Sequence, residues 1–251
     1  MIKLILVILL ILVILLILNM GNEYFYDFEN VPKKYGETIN DKYELNGNDI
    51  PKIIHHICPR DFNRWHPKWF ICYESWLRLF PKPEYTHMHW YDDELHKVIE
   101  EDYPWFLEVF NGYTENIKRI DMVRPFILYK YGGIYADMDF QVLKNFYDNL
   151  PKDRVSICES PYKGNEEITN ALMASPQGSN FWLFVIDECY KHRDTYVLLS
   201  TGPQLFRALN QTHPDIINKL VNVLPYNLYN PPPWDPTDEN TISKHYNTVA
   251  W

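Results

Sequence analysis

Tyr131-Gly132-Gly133-Ile134-Tyr135-Ala136-Asp137-Met138-Asp139 is the stretch whose reading decides the fold. Upstream of it, Ile120, Val123, Ile127, Leu128 and Tyr131 recur at helical spacing, which predicts a helix over 117–131 with one apolar stripe. Gly132-Gly133 supplies the backbone freedom to stop it. Ile134-Tyr135-Ala136 then reads as a short buried strand, and Asp137-Met138-Asp139 falls at its carboxyl end. Ligands of open α/β sheets bind just beyond the carboxyl ends of strands. Two Asp one residue apart point to opposite faces of a strand but converge where the chain turns. Their hard oxygens suit Mg²⁺ or Mn²⁺, which keep positions open for water and phosphate. An EF-hand reading fails, because Val142 stands where that loop needs Gly and Asp148 where it needs Glu. An isolated Asp-x-Asp also reads as a solvated turn.

Outward from this stretch, the pattern stays mixed. Lys52 to Ile57 is a β-branched run between Pro51 and Pro59 and predicts a first strand. Trp69, Cys72, Tyr73, Trp76 and Leu79-Phe80 fall at helical spacing, and Pro81 and Pro83 end that helix. Tyr85 to Trp90 alternates and predicts a second strand. Asp92-Asp93-Glu94 offers caps for a helix near Leu95 to Glu101. Asp121 and Arg124 sit three apart and can share a face. Pro125, inside the stripe, predicts a kink or a break after Arg124. Alternating helices and strands of this kind predict an α/β domain.

Of 251 residues, Leu4 to Leu18 form an unbroken Leu/Ile/Val run. As a helix it spans roughly 22 Å, against a hydrocarbon core of ~30 Å. Ile2 extends it, Lys3 can snorkel, and Asn19-Met20-Gly21-Asn22 is a poor cleavage site. The reading is a signal anchor over 1–18, a polar stem over 19–49 and a catalytic body over 50–251. Lys3 before the run and Glu23, Asp27 and Glu29 after it put the body across the membrane, as in a type II luminal protein of the ER or Golgi, or of a host membrane if the chain is viral. The net charge of −9, with no basic cluster, argues against duplex nucleic acid as a partner. An acidic protein can still take a phosphorylated substrate when a cation intervenes. Cys58, Cys72, Cys158 and Cys189 include no CxxC pair, so thiols and disulfides both stay open.

The order Asp121-x-x-Arg124, then Tyr131 to Asp139, resembles the Asp-x-Asp sugar-transferase region of glycosyltransferase family 32. The likeness begins at Ile50-Pro51-Lys52-Ile53-Ile54-His55. It continues through Trp90-Tyr91-Asp92-Asp93 and Thr201-Gly202-Pro203 and ends at His245 and Trp251. Cys58, Pro125 and Ala250 depart from the family's usual Trp, aromatic and Ser.

This resemblance implies a single GT-A type, Rossmann-like domain with a nucleotide half and an acceptor half. It implies a nucleotide-sugar donor, GDP-mannose or a UDP-hexose, and a glycan, lipid or protein acceptor, with retention of configuration. Asp139 would bind Mn²⁺ or Mg²⁺, His245 would join it, and Asp137 would contact the ribose or the donor sugar through the metal and its waters. Asp121 and Arg124 would hold donor hydroxyls, His55 would lie near the nucleotide, and Trp251 would donate to a diphosphate oxygen. The residues alone also admit a plain ion pair at Asp121 and Arg124, a buried structural His55, a surface His245, and Asn170 in a turn or facing substrate. Pro231-Pro232-Pro233-Trp234 reads as a rigid loop, and Asn210-Gln211-Thr212 as a glycosylation sequon. Competing functions are a metal-dependent phosphoester hydrolase and a non-catalytic sugar-binding module on a membrane.

Overall fold

A computed structural model describes residues 49–91, 94–162 and 168–248. The expected anchor and nearly all of the stem, the Asp92-Asp93 caps, Ala250 and Trp251 lie outside the described residues. Among those described, no helix is long and apolar enough to cross a membrane.

The first half runs β1 (Ile53–Cys58), α1 (Pro67–Leu79), β2 (Thr86–Tyr91), α2 (Leu95–Asp102), α3 (Leu107–Gly112), α4 (Asn116–Tyr131), β3 (Gly133–Ala136) and β4 (Phe140–Val142). The second half runs β5 (Val155–Glu159), β6 (Ile168–Ser175), α5 (Asn180–Lys191), α6 (Val197–Ser200), α7 (Pro203–Thr212), α8 (Pro214–Leu220), β7 (Val221–Leu224), α9 (Tyr226–Tyr229) and β8 (Ser243–His245). The elements expected before Asp137 are found within a few residues of their expected ends. α4 differs in one respect: it continues unbroken through Pro125. Proline removes one N–H and crowds the carbonyl four residues back, and the helix tolerates this where residues 120–128 are all buried.

Six strands form the main sheet in the order β2-β1-β3-β6-β5-β7. β1 runs parallel to β2 and β3, while β6 is antiparallel to both β3 and β5. The sheet is therefore mixed. β4 and β8 make a separate antiparallel pair.

Alternate residues of β3 serve opposite faces, as the period of a strand requires. Tyr135 packs with Val123, Phe126 and Ile127 of α4 and with Phe181 to Ile186 of α5. Ile134 and Ala136 pack on the other side with Trp76 of α1, Phe140 and Phe146. A fully buried ring such as Phe126 contributes roughly 1.5–3 kcal/mol relative to exposure. Both faces of the sheet are covered, so β3 is held at a fixed height between two cores.

Gly132 and Gly133 make the turn that joins α4 to β3. Their φ values are +61° and +90°, and a side chain on Gly133 would come within 2.5 Å of the Ile53 carbonyl. Glycine is required here for both conformation and space.

His55 sits against this turn. Its Nε2–H donates to the Gly132 carbonyl at 2.8 Å, and its Nδ1 accepts from the Trp90 indole at 3.1 Å. Both ring nitrogens are thus used in the neutral form. His56 Nδ1 lies 2.8 Å from the Ala136 carbonyl, and both rings are fully buried. Burial pushes His55 down to about 4 and His56 to about 3, with the backbone bonds opposing the shift in each case.

The unfolded histidines titrate near 6.5. Between that value and the folded ones the unfolded chain binds more protons, so their contribution to stability is full above pH 6.5 and falls as pH falls towards 4. Each of the two accounts for on the order of a few kcal/mol across this window. Asp121, described below, acts with the opposite sign between pH 4 and 6. The measurement is therefore differential: in urea denaturation at pH 7 and pH 5, the His55→Gln His56→Gln variant should lose less stability on acidification than the parent chain.

Candidate active site

The site is assembled by the length of two elements. From Arg124, α4 rises about 10 Å before it ends at Tyr131. After the glycine turn, β3 returns about 13 Å by Asp137. The strand end therefore comes back level with Arg124. The chain then turns, with the Phe140 N–H bonded to the Asp137 carbonyl at 3.0 Å. That turn brings Asp139 round to the side of Asp137.

A cavity of about 360 Å³ opens at this point, lined by Asp121, Arg124, Asp137, Asp139, Asn170 and His245 among others. Trp69, Ile57, Met138, Leu198 and Pro203 give it apolar walls. Tyr162 and Thr248 also line it.

Arg124 ties the polar wall together. Its Nη1 reaches Asp121 Oδ1 at 3.1 Å and the Asn170 carbonyl at 3.1 Å, and its Nη2 reaches Asp137 Oδ1 at 3.1 Å. The Tyr135 hydroxyl, two residues along the same strand face, donates to that Asp137 oxygen at 2.7 Å. Asn170 Nδ2 donates to Asp121 at 3.2 Å and to the Thr201 carbonyl at 3.3 Å. Thr201 belongs to the Thr201-Gly202-Pro203 segment that leads into α7, so that motif also reaches the site. Arg124 thus has both terminal nitrogens on protein acceptors and orients the carboxylates around it.

The electrostatics follow from burial and charge. Burial raises Asp121 to about 6, with Arg124 opposing and Asp137 adding to the shift. Burial also raises Asp137, again with Arg124 opposing and Asp139 adding. For Asp139 burial acts upward, but hydrogen bonds from His245 and Thr248 outweigh it and hold the carboxyl below its ordinary range. Arg124 stays charged, because its acidic neighbours outweigh its own desolvation.

Asp139 is held by the far end of the chain. β4 pairs with β8 so that Phe140 faces His245, and their rings stack at 4.9 Å. His245 Nε2 lies 3.0 Å from Asp139 Oδ1. The Thr248 N–H and hydroxyl both donate to Asp139 Oδ2, at 2.6 and 2.9 Å. Trp69 Nε1 in turn donates to the Thr248 hydroxyl at 2.9 Å.

Ligand atoms of Asp137, Asp139 and His245 all lie within 4.8 Å of one another. Two carboxylates and an imidazole form a donor set that suits Mn²⁺ or Mg²⁺. Three carboxylates against one guanidinium also leave negative charge that a divalent cation would neutralise. The residues present fit such an ion.

The structure brings together Asp121, Arg124, Asp137, Asp139 and His245. It places His55 elsewhere, under the glycine turn and outside the cavity. Asn170 lies on β6 and lines the cavity, so it is not a turn residue. Thr248, Tyr135 and Trp69 were missed. Tyr135 carries a usable signal, since it shares a strand face with Asp137; Thr248 carries none in its local sequence. Cys72, Cys158 and Cys189 are buried thiols, and burial raises all three, Cys72 to about 12. Cys58 is buried as well.

Residues 67–156 match the family described as the glycosyltransferase sugar-binding region containing a DXD motif. The chain carries this DXD glycosyltransferase region. Asp137-Met138-Asp139 is its Asp-x-Asp, and the likeness to glycosyltransferase family 32 holds.

The chain is 33% identical over 187 residues to inositol phosphoceramide mannosyltransferase 3 of Schizosaccharomyces pombe, which covers 72% of this chain and 50% of that protein. It is 31% identical over 180 residues to mannosyl phosphorylinositol ceramide synthase CSH1 of Saccharomyces cerevisiae, covering 69% of this chain and 45% of the relative. The chain thus spans about half the length of these curated relatives. Among solved structures it is similar to the PaToxG glycosyltransferase, with TM-score 0.50, 16% identity, and coverage of 80% of this chain and 79% of that one. That likeness concerns the fold: a mixed α/β domain whose central sheet resembles GT-A glycosyltransferases.

Arg124→Met leaves the buried Asp121 and the half-buried Asp137 close together without their counter-ion. The expected cost is about 3–5 kcal/mol in urea denaturation at pH 7. Adding Asp121→Asn and Asp137→Asn should restore part of it, because the uncompensated charges are then gone.

Proposed function

We propose that this chain is a metal-dependent glycosyltransferase that moves a hexose from a nucleotide-diphosphate sugar to a hydroxyl acceptor, with retention of configuration. The observation that carries the reading is the convergence of Asp137, Asp139 and His245 at a strand end, with Asp121 and Arg124 on the same cavity wall. A hydrolase with two metal ions would need a second set of ligands. Among the described residues this is the only group of three or more His, Cys, Asp or Glu placed to share an ion.

Asp139 and His245, with Asp137, would hold Mn²⁺ or Mg²⁺. Bound there, the ion supplies charge neutralisation for the nucleoside diphosphate as it leaves. The protein's own groups do the rest. Arg124 fixes the carboxylates of Asp121 and Asp137 before substrate arrives, so no reorganisation is needed during the reaction. Asp121, raised by burial and reached by Asn170, is placed to accept or donate a hydrogen bond at a sugar hydroxyl. Trp69, Met138 and Leu198 wall the cavity and would shield the anomeric carbon from water. Holding the acceptor hydroxyl near that carbon supplies the remaining rate advantage. Trp251 would donate its indole N–H to a diphosphate oxygen.

The relatives named above as inositol phosphoceramide mannosyltransferase and synthase favour mannose as the sugar and a ceramide-based lipid as the acceptor. UDP-hexoses and glycan or protein acceptors stay within reach of the same site. The Leu4 to Leu18 run would anchor the chain, with the catalytic body across the membrane.

The test is donor hydrolysis by the purified full chain with Mn²⁺ and a panel of GDP- and UDP-sugars. At least one donor should turn over, chelation should abolish this, and added Mn²⁺ should restore it. Asp139→Ala should lower the rate on the order of a hundredfold or more, as loss of a preorganised electrostatic group does. A variant that hydrolyses every donor at the parent rate sinks the proposal.

A further inference from the structure

α1 carries apolar side chains on both sides, with Lys68, Glu74 and Arg78 exposed among the outer ones. Its inner face buries Trp69, Cys72 and Trp76. Its outer face presents Phe70, Ile71 and Leu77, which are 42%, 57% and 37% exposed. Phe62, in the turn before the helix, is 60% exposed. Two of the four, Phe62 and Phe70, meet through Trp65. The Phe62 ring lies 4.8 Å from Trp65, and Trp65 lies 5.3 Å from Phe70. Exposed apolar side chains grouped along one helix point to an interaction site.

The charges around it run against those of the chain. Overall the protein has 24 Lys and Arg against 33 Asp and Glu. Between residues 60 and 78 the balance reverses: Arg60, Arg64, Lys68 and Arg78 stand against Asp61 and Glu74. Asp61 is turned back onto the chain, accepting from the Asn63 N–H at 2.9 Å. Arg60 pairs with Glu94 at 2.5 Å, and the Lys68 ammonium sits 4.3 Å over the Tyr246 ring. Exposed aromatic rings set among cations, on a helix lying along the surface, match the interfacial region of an anionic bilayer.

The position of this face gives it a use. Trp69 lines the catalytic cavity and Phe70, the next residue, faces out. A surface that rests on α1 lies one helix diameter from the cavity, about 10 Å.

We propose that the outer face of α1, with Phe62, docks onto anionic phospholipid and so holds the cavity beside the membrane surface, where a lipid acceptor presents its headgroup. This rests on the glycosyltransferase reading only for its purpose. The docking itself rests on the exposed rings and the local charge reversal. A bilayer is favoured over a second copy of the chain, because two copies of this face would oppose cation to cation.

The experiment uses the full chain with phosphatidylcholine vesicles, with and without phosphatidylserine. A polarity-sensitive fluorophore is attached through Phe70→Cys, and in a separate protein through Val223→Cys on β7, the sheet edge opposite β2. The native cysteines are buried. Doxyl-labelled lipid should quench position 70 in vesicles containing phosphatidylserine and leave position 223 unchanged. Arg64→Glu with Lys68→Glu should weaken the docking on the order of tenfold or more, since each basic group near an anionic surface contributes severalfold. Donor hydrolysis in detergent should not change, which separates docking from catalysis.

A chain that floats with vesicles but leaves position 70 unquenched keeps its anchor and overturns the docking. Equal quenching at 70 and 223 overturns it as non-specific. A blue shift at position 70 before lipid is added also overturns it: dependence on protein concentration would assign the face to contact between copies, and independence would assign it to another segment of the same chain.

Discussion

Three carboxylates, from Asp121, Asp137 and Asp139, line one cavity, and Arg124 is the buried cation that lets the fold keep the first two there. A buried and a half-buried acid side by side would otherwise protonate or force the site open. With Nη1 on Asp121 and Nη2 on Asp137, Arg124 also fixes the distance between α4 and the end of β3. That distance is set again by the glycine turn, which has room for no side chain. The cavity wall is therefore rigid before anything binds. Asp139 lies outside Arg124's direct reach, and the β8 end of the chain, through His245 and Thr248, holds it instead. The arrangement is preorganised negative charge, which is what a divalent cation and a diphosphate together require.

Much of this was legible from local pattern. The helical stripe, the glycine pair and the short strand ahead of Asp137 are local signals, and all three elements form. The Asp121–Arg124 pairing follows from helical spacing alone. Other features depend on tertiary context. Pro125 reads as a break, yet packing on all sides of α4 carries the helix through it. The antiparallel run of β6 leaves no mark in its own residues, so strand order and direction were not readable. β4 and β8 are three-residue strands about a hundred positions apart, too short to carry a pattern, and they are what places His245.

His55 shows where pattern leaves the choice open. A histidine on the first strand reads equally as ligand contact or core residue. The structure gives it a backbone carbonyl and an indole as partners and puts it under the glycine turn. It supports the site by holding the turn that sets the height of β3. Asn170 is a second case: its surroundings in sequence admit a turn or the substrate side equally, and on β6 it joins Asp121 to Thr201. In both cases the decisive fact is which strand lies next to which, and that is a property of the sheet.

The central claim is that Asp139 and His245, with Asp137, form a cation site facing a diphosphate. Crystals of the chain grown with Mn²⁺ and a nucleoside diphosphate, measured at the manganese absorption edge, test it directly. The account predicts one anomalous peak within about 2.0–2.6 Å of an Asp139 oxygen and His245 Nε2, the range for hard oxygen and imidazole ligands, with diphosphate oxygens completing the shell. A nucleotide bound in the cavity with no manganese between it and Asp139, or a peak ligated by other side chains, would contradict it.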